Sequence, residues 1–209
     1  MNDFQLTAYV IDDDRAVLQS VSELLDAAGI PTLAFTSAEQ FLHQLTPATA
    51  GCIITDLRMQ GMSGADLLRV LSDAGCRLPV IVVSGHADVP VTVEVMGHGA
   101  VTVLQKPYKA DELLEVVGQT LRSFRSDQQR YQQLDEIRRR IDSLTAEEKN
   151  VMQLMIEGKP NKMIASELDI SIRTVDRRRS SVLKKMAVSS APEVARLVTL
   201  LESAQTPVG

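Results

Sequence analysis

The sequence predicts an α/β domain built on a doubly wound, parallel five-stranded sheet, followed by a small all-α domain of four helices. The first half alternates five short, β-branched runs with amphipathic stretches, a pattern typical of repeated βα units. The last part of the chain has helical periodicity alone. The 209 residues suffice for two small domains, and 44% hydrophobic residues exclude a disordered chain.

Five runs are predicted strands, because each is rich in β-branched residues and is bounded by Gly, Pro, Asp or Ser. A helical stretch follows each run. Asp14 is the predicted N-cap of the first helix, Val17, Val21 and Leu25 lie on one face of it, and Gly29 ends it. Right-handed crossovers then give a doubly wound, three-layer domain, for which we expect the strand order 2-1-3-4-5. The predicted strands are Thr7–Ile11, Thr32–Phe35, Gly51–Thr55, Val80–Ser84 and Val101–Leu104.

The segment Lys109–Leu144 contains no proline, and its apolar residues recur at spacings of three, four or seven. This pattern predicts one long helix, or two helices with a break near Arg125–Gln128. The helix either pairs with a partner helix or is a solvated linker. We therefore assign residues 1–122 to the first domain, 123–143 to a helical linker and 144–209 to the second domain.

The second domain begins with a capping-box pattern, in which Thr145 caps a helix and Glu148 reaches back to it. Gly158 ends this helix. Four short helices in succession predict a compact bundle. They are expected at Thr145–Glu157, at Asn161–Leu168, at Ser171–Met186 and from about Pro192.

The net charge of −5 is divided unevenly along the chain. Residues 1–120 carry 6 Lys or Arg against 15 Asp or Glu, a net charge of −9, whereas residues 121–209 carry 16 against 12, a net charge of +4. The basic part indicates a nucleic-acid partner. No apolar run has the length of a membrane span and the N-terminus is acidic, so a cytoplasmic protein without membrane contact is expected. Cys52 and Cys76 are expected to be structural thiols.

Polar residues lie at the carboxyl ends of four predicted strands, where open α/β sheets bind ligands. They are Asp12 and Asp13 after strand 1, Asp56 after strand 3, Ser84 at the end of strand 4 and Lys106 after strand 5. Neighbouring carboxylates repel one another unless a cation shares them, and oxygen ligands suit Mg²⁺. Lys106 and Ser84 suit contacts to phosphate. The pattern predicts a phosphoryl acceptor in which Asp56 attacks phosphorus.

The predicted helix Ser171–Met186 concentrates positive charge in the second domain. It contains six Lys or Arg and a single acidic residue, Asp176. A predicted short helix and a turn come directly before this helix. This spacing is typical of a helix-turn-helix whose second helix enters the major groove of DNA.

Four stretches, VIDDD, ITDLRMQGMSG, VVSGHAD and GAVTVLQKPY, resemble the CheY-like receiver domain of two-component signalling in order and spacing. The resemblance implies a cis bond between Lys106 and Pro107. It also implies the site residues: Asp56 as the phosphorylated aspartate, Asp12, Asp13, Asp56 and the carbonyl oxygen of Arg58 as Mg²⁺ ligands, and Ser84 and Lys106 in signalling.

The sequence departs from receivers at Val103, where many of them carry an aromatic side chain that rotates on activation. The resemblance also implies that the side chains of Arg58 and His86 lie where they tune the lifetime of the phosphoryl group. For His86, an exposed loop histidine without such a role is the alternative.

The stretch LTAEEKNVMQLMIEGKPNKMIASELDISIRTVDRRRSSVLKKM resembles the LuxR-type four-helix DNA-binding domain found in FixJ-like regulators. Arg177 and Arg178 stand where relatives often have an apolar residue and a histidine, so the target sequence is not transferable from them. The resemblance implies two sets of DNA contacts: Asp176, Arg177 and Ser180 at base edges, and Asn161, Lys162, Arg173, Thr174 and Lys184 near phosphates.

The expected protein is a response regulator that accepts a phosphoryl group from a histidine kinase, forms a homodimer and binds double-stranded promoter DNA, where RNA polymerase is a further candidate partner. It is expected to be a stoichiometric acceptor with slow self-dephosphorylation rather than an enzyme. Two alternatives stay open. One is a phosphorylation-independent DNA-binding regulator with a dimerising receiver, which Val103 favours, and the other is an aspartyl-phosphate phosphotransfer enzyme.

Overall fold

The computed structural model describes residues 6–85 and 89–205. They form two compact units that divide between Asp127 and Gln128. The strands are β1 (Thr7–Ile11), β2 (Thr32–Phe35), β3 (Gly51–Asp56), β4 (Val80–Ser84) and β5 (Ala100–Gln105). The helices are α1 (Arg15–Ala27), α2 (Ala38–Gln44), α3 (Gly64–Asp73), α4 (Val89–Gly97), α5 (Ala110–Asp142), α6 (Ala146–Ile156), α7 (Asn161–Glu167), α8 (Ile172–Met186) and α9 (Ala191–Gln205).

The strands form a parallel sheet in the order β2-β1-β3-β4-β5, which confirms the predicted α/β topology. The register pairs Ile11 with Thr55. The next residues, Asp12 and Asp56, therefore lie side by side on neighbouring strands at the carboxyl edge. A parallel sheet covered by helices brings distant acidic residues together in this way.

Both faces of the sheet are buried, because helices cover each of them. Consecutive residues of a strand point to opposite faces, so each strand contributes to both apolar layers. Helices α2 and α3 contribute to one apolar layer, and α1 and α5 contribute to the other. The first layer contains Ile11, Phe41, Ile53, Leu67 and Val82, and the second contains Val10, Leu25, Ile54, Val83 and Leu113.

Helix α1 begins after Asp14, whose side chain accepts a hydrogen bond from the Ala16 amide, so the predicted N-cap is confirmed. Helix α5 runs without interruption from Ala110 to Asp142. The prediction of one long helix is therefore confirmed, and the alternative break near Arg125–Gln128 is wrong. The domain limits 1–122, 123–143 and 144–209 stay predictions.

The second unit contains the last part of α5 and helices α6 to α9. Its apolar core includes Val151, Ile164, Val175, Val182 and Val194. Helices α6 to α9 confirm the predicted all-α domain. The capping box of Thr145 and Glu148 is present at the start of α6, as predicted.

Two elements differ slightly from their predicted boundaries. Helix α8 begins at Ile172 because Ser171 is its N-cap and accepts a hydrogen bond from the Thr174 amide. Strand β5 is longer than predicted at both ends. The predicted cis peptide bond between Lys106 and Pro107 is present.

Both cysteines are free thiols, as predicted. Cys52 is buried in β3, and burial raises its pKa to about 12, which keeps the thiol protonated and unreactive. In the two ranges that the structure describes, no helix combines the length and apolar character needed to cross a membrane.

Candidate functional site

The carboxyl edge of the sheet brings together the side chains of Asp12, Asp56 and Lys106, which come from three different strand ends. The ammonium nitrogen of Lys106 donates to Oδ1 of Asp56 at 2.5 Å and to Oδ2 of Asp12 at 3.0 Å. Asp12 is only 5% exposed. Burial alone would lower the pKa of Lys106, but its hydrogen bonds to Asp56 and Asp12 outweigh burial and raise that pKa.

The loop of residues 57–63 follows Asp56 and is held by backbone hydrogen bonds to three carboxylates. Sequence reasoning missed Glu39, because the pattern of α2 does not reveal that its first turn faces this loop. Asp13 contacts the loop through its carboxylate and does not bond to Lys106. The three bonds are Arg58 N to Asp56 Oδ2 at 2.7 Å, Gln60 N to Asp13 Oδ2 at 3.0 Å, and Met62 N to Glu39 Oε1 at 2.9 Å.

The chemistry of this edge fits a hard divalent cation. Asp12, Asp13 and Asp56 supply three carboxylates against the one ammonium of Lys106, an excess of negative charge that a cation would balance. Among the residues that the structure describes, no group of three or more His, Cys, Asp or Glu side chains is arranged to hold a metal ion. Mg²⁺ ordinarily takes one or two carboxylates and completes its shell with water and phosphate oxygens, so a site with fewer than three such side chains is compatible with it.

Ser84 lies at the end of β4, and its side chain is buried. Its carbonyl oxygen accepts a hydrogen bond from the Lys106 amide at 2.8 Å. Ser84 and Lys106, the two residues predicted to contact phosphate, are therefore neighbours. Val103 is half-buried in β5 and packs against the first apolar layer. His86 lies outside the described residues.

The second unit carries the predicted DNA contacts on α7 and α8. Val175, Val182 and Met186 anchor α8 in the core. The opposite side of α8 is solvent-exposed and forms a continuous polar face, since its members are spaced at one face of a helix. This exposed face of α8 consists of Arg173, Asp176, Arg177, Ser180 and Lys184.

The remaining predicted contacts lie near the start of each helix. Lys162 is exposed on α7, and Asn161 and Thr174 are half-buried. The Thr174 hydroxyl lies 2.9 Å from that of Ser171 at the start of α8. The Asn161 amide donates a hydrogen bond to Oδ1 of Asp176 at 2.5 Å, so two residues predicted to contact DNA separately are bonded to each other.

Glu148 joins α6 to α8 through a cluster that sequence reasoning recognised only as a helix cap. Its carboxylate accepts from Ser181 Oγ and Lys185 Nζ, each at 2.6 Å, and from the Thr145 amide at 2.9 Å. These bonds, that of Lys185 above all, lower the pKa of Glu148 to about 2. Lys185 therefore connects α8 to α6 and does not belong to the exposed face of α8.

Two sequence-family profiles match the chain. Residues 8–118 match the response regulator receiver domain. Residues 142–198 match the bacterial regulatory proteins of the luxR family. The matched ranges cover the sheet-edge cluster and all of α7 and α8.

Individual relatives match this chain along nearly their whole length. Response regulator protein TmoT of Ectopseudomonas mendocina is 36% identical over 97% of this chain and 92% of its own. Transcriptional regulatory protein FixJ of Azorhizobium caulinodans is 39% identical over 93% and 92%. The solved structure of response regulator StyR is 35% identical, with a TM-score of 0.88 over 93% of this chain and 98% of that chain.

Proposed function

The chain belongs to the response regulators that join a receiver domain to a LuxR-type DNA-binding domain, and we propose that phosphorylation of Asp56 by a histidine kinase controls its binding to promoter DNA. As a member of this family it is a transcription regulator. The observation that carries the proposal is the contact of Lys106 with both Asp56 and Asp12, because it places a preorganised positive charge where the oxygens of a transferred phosphoryl group would lie.

Asp56 is the acceptor in this proposal. Its carboxylate attacks the phosphorus of a phosphohistidine, the P–N bond breaks, a P–O bond to Asp56 forms, and the departing imidazole takes up a proton. Lys106, already 2.5 Å from the acceptor, balances the negative charge that gathers on the phosphoryl oxygens. The buried hydroxyl of Ser84 supplies a neutral hydrogen-bond donor from the adjacent strand.

Asp12, Asp13, Asp56 and the carbonyl oxygen of Arg58 are the proposed ligands of Mg²⁺. When bound, Mg²⁺ supplies positive charge to the transferred phosphoryl oxygens. The hydrogen bond from the Arg58 amide to Oδ2 of Asp56, at 2.7 Å, fixes the start of the loop that carries this carbonyl. The chain acts as a stoichiometric acceptor that slowly loses its phosphoryl group to water.

The exposed face of α8 is the proposed DNA surface. Arg173, Arg177 and Lys184 place positive charge on an exposed helix that the core holds from behind, as a recognition helix requires. Phosphorylation would favour a homodimer, whose two copies of α8 read two half-sites. RNA polymerase is the further candidate partner. We expect the activity in the cytoplasm, because the promoter DNA and the polymerase are there.

A second candidate function has one observation in its favour. Val103 stands where many receivers carry a rotating aromatic residue, and it packs in the first apolar layer. A receiver of this kind would serve as a dimerisation module, with DNA binding independent of phosphate.

The experiment is intact-mass analysis of wild type and Asp56→Asn after incubation with acetyl phosphate and Mg²⁺, with sizing of the same samples. We expect one added phosphoryl group on wild type alone, together with a shift to dimer. Dimers without any added mass would favour the second candidate. Catalytic release of phosphate from small phosphomonoesters would instead favour a phosphotransfer enzyme.

A further inference from the structure

We propose that Asn161 is a positioning residue that holds the Asp176 carboxylate to read the amino group of a cytosine in the major groove. This inference rests on the proposed DNA-binding function and adds the base that the site selects. It differs from the sequence-based expectation that Asn161 itself lies near a phosphate.

The hydrogen bond between the two side chains has only one chemically consistent direction. An ionised carboxylate accepts hydrogen bonds and cannot donate them, so the nitrogen of the Asn161 amide faces Oδ1 of Asp176, at 2.5 Å. Asn161 is the first residue of α7, and Asp176 lies in the first half of α8. The bond therefore joins the two helices of the helix-turn-helix at the edge of the exposed face of α8.

The charge of Asp176 makes it an unusual member of a DNA-binding face. Arg173 and Arg177 lie beside it in the helix, yet among the described residues neither comes within ion-pair distance of its carboxylate. DNA phosphates repel a carboxylate. A favourable contact at this position therefore needs a hydrogen-bond donor on a base edge.

Only two bases offer such a donor in the major groove. Adenine presents its amino group beside the N7 acceptor, whereas cytosine presents its amino group without a neighbouring acceptor. Guanine and thymine present acceptors that repel a carboxylate. The carboxylate of Asp176, with Oδ2 still available beside the Oδ1 held by Asn161, therefore selects cytosine.

Asn161 contributes by fixing the direction of this carboxylate before DNA arrives. A free aspartate side chain on a helix surface samples several rotamers, and the loss of that freedom on binding weakens the contact. A side chain already held by a hydrogen bond loses less. Removing Asn161 should therefore weaken base selection at one position and leave binding to the DNA backbone intact.

The test is selection from a randomised duplex library by the full-length chain treated with acetyl phosphate and Mg²⁺. Wild type is compared with Asp176→Ala, Asn161→Ala and the double variant. Lys162→Ala is the matched control on α7, since loss of an exposed lysine near phosphates should weaken all sequences alike. Circular dichroism checks that each variant is folded.

We expect wild type to select a site with a fixed cytosine, and Asp176→Ala to reduce the preference for that cytosine about tenfold. Asn161→Ala should reduce it about threefold and should have no further effect when Asp176 is already absent. Retention of the cytosine by Asp176→Ala would overturn the inference, as would a uniform loss of affinity in Asn161→Ala that resembles Lys162→Ala. Both results would leave the proposed function standing. A wild type that selects no sequence would contradict the proposed function and this inference together.

Discussion

The ammonium nitrogen of Lys106 lies 2.5 Å from Oδ1 of Asp56, although 50 positions separate the two residues in the sequence. Strands β3 and β5 are not neighbours, and β4 lies between them. The contact therefore depends on the crossover order of the sheet, and it places a cation directly on the proposed phosphoryl acceptor.

Replacement of Lys106 should slow phosphorylation while leaving the protein folded. We expect Lys106→Ala to accept phosphate from acetyl phosphate roughly a hundredfold more slowly than wild type, because the charge on the transferred oxygens loses a preorganised partner. The initial rate of mass gain measures this. Lys109→Ala removes the same charge from an exposed neighbouring position and should phosphorylate normally. Equal rates for the two variants would remove Lys106 from the mechanism.

Gly64 should not tolerate a side chain. A Cβ atom at this position would lie 2.4 Å from the carbonyl oxygen of Asp56 and 3.2 Å from the Cα atom of Leu57. Gly64→Ala must therefore shift the backbone of the acceptor, and we expect phosphorylation to slow by roughly tenfold to a hundredfold. Gly97→Ala is the control, since nothing lies within 4 Å of the added atom. A Gly64→Ala protein with the wild-type phosphorylation rate would contradict this account of the loop.

The strand-end residues were predictable because the carboxyl ends of parallel strands lie at the same edge of a sheet. To predict that Asp12, Asp56 and Lys106 lie together, only the strand order and the position of each strand in the sequence were needed. The hydrogen bonds of Asp13 to Gln60 and of Glu39 to Met62 were not predictable, because they depend on how a loop folds back onto the start of α1 and onto α2.

In the second unit, too, contacts between helices were not predictable from the sequence. The charge pattern of α8 predicts a basic helix, but it does not show which of its polar side chains bond to neighbouring helices. Lys185 bonds to Glu148 because α6 crosses α8 at that point. Asp176 bonds to Asn161 because α7 starts beside it. Both contacts are tertiary, and helical periodicity carries no information about them.

Glu148 should stabilise the second unit through its bonds to Ser181, Lys185 and the start of α6. We expect Glu148→Ala to lower the free energy of unfolding of this unit by about 2 kcal/mol, since a charged group with several hydrogen bonds is lost. Hydrogen exchange of the α6 amides in the full chain measures this locally. Thr199→Ala, at an exposed position of α9, is the comparison. Unchanged exchange in α6 would contradict the prediction.

The same carboxylate predicts a pH dependence. Its pKa is lowered from 4.5 to about 2, first of all by the bond to Lys185, so its contribution is fully present above pH 4.5. That contribution is lost as the pH falls towards 2. Wild type and Glu148→Gln should therefore differ most in α6 protection above pH 4.5 and converge at lower pH. A difference that stays constant across this range would contradict the assignment.

Arg177 should contribute both affinity and sequence preference. It lies on the exposed face of α8, and a bidentate contact to guanine would be lost in Arg177→Ala. We expect binding to a selected duplex to weaken by about 1–3 kcal/mol and the preference at one base pair to relax. Arg196→Ala removes an exposed arginine from α9 and should bind nearly as wild type. Equal losses in both variants would point to a general charge effect.

In the proposed function, the phosphoryl group on Asp56 controls DNA binding. The most direct measurement is the affinity of wild type and Asp56→Asn for one duplex selected from a random library, at fixed salt, with and without acetyl phosphate and Mg²⁺. We predict that the phosphodonor tightens wild-type binding by roughly fivefold to a hundredfold, the usual range of coupling between two sites, and leaves Asp56→Asn unchanged. Wild-type binding that is equally tight with and without the donor would contradict the claim and would favour a receiver that acts without phosphate.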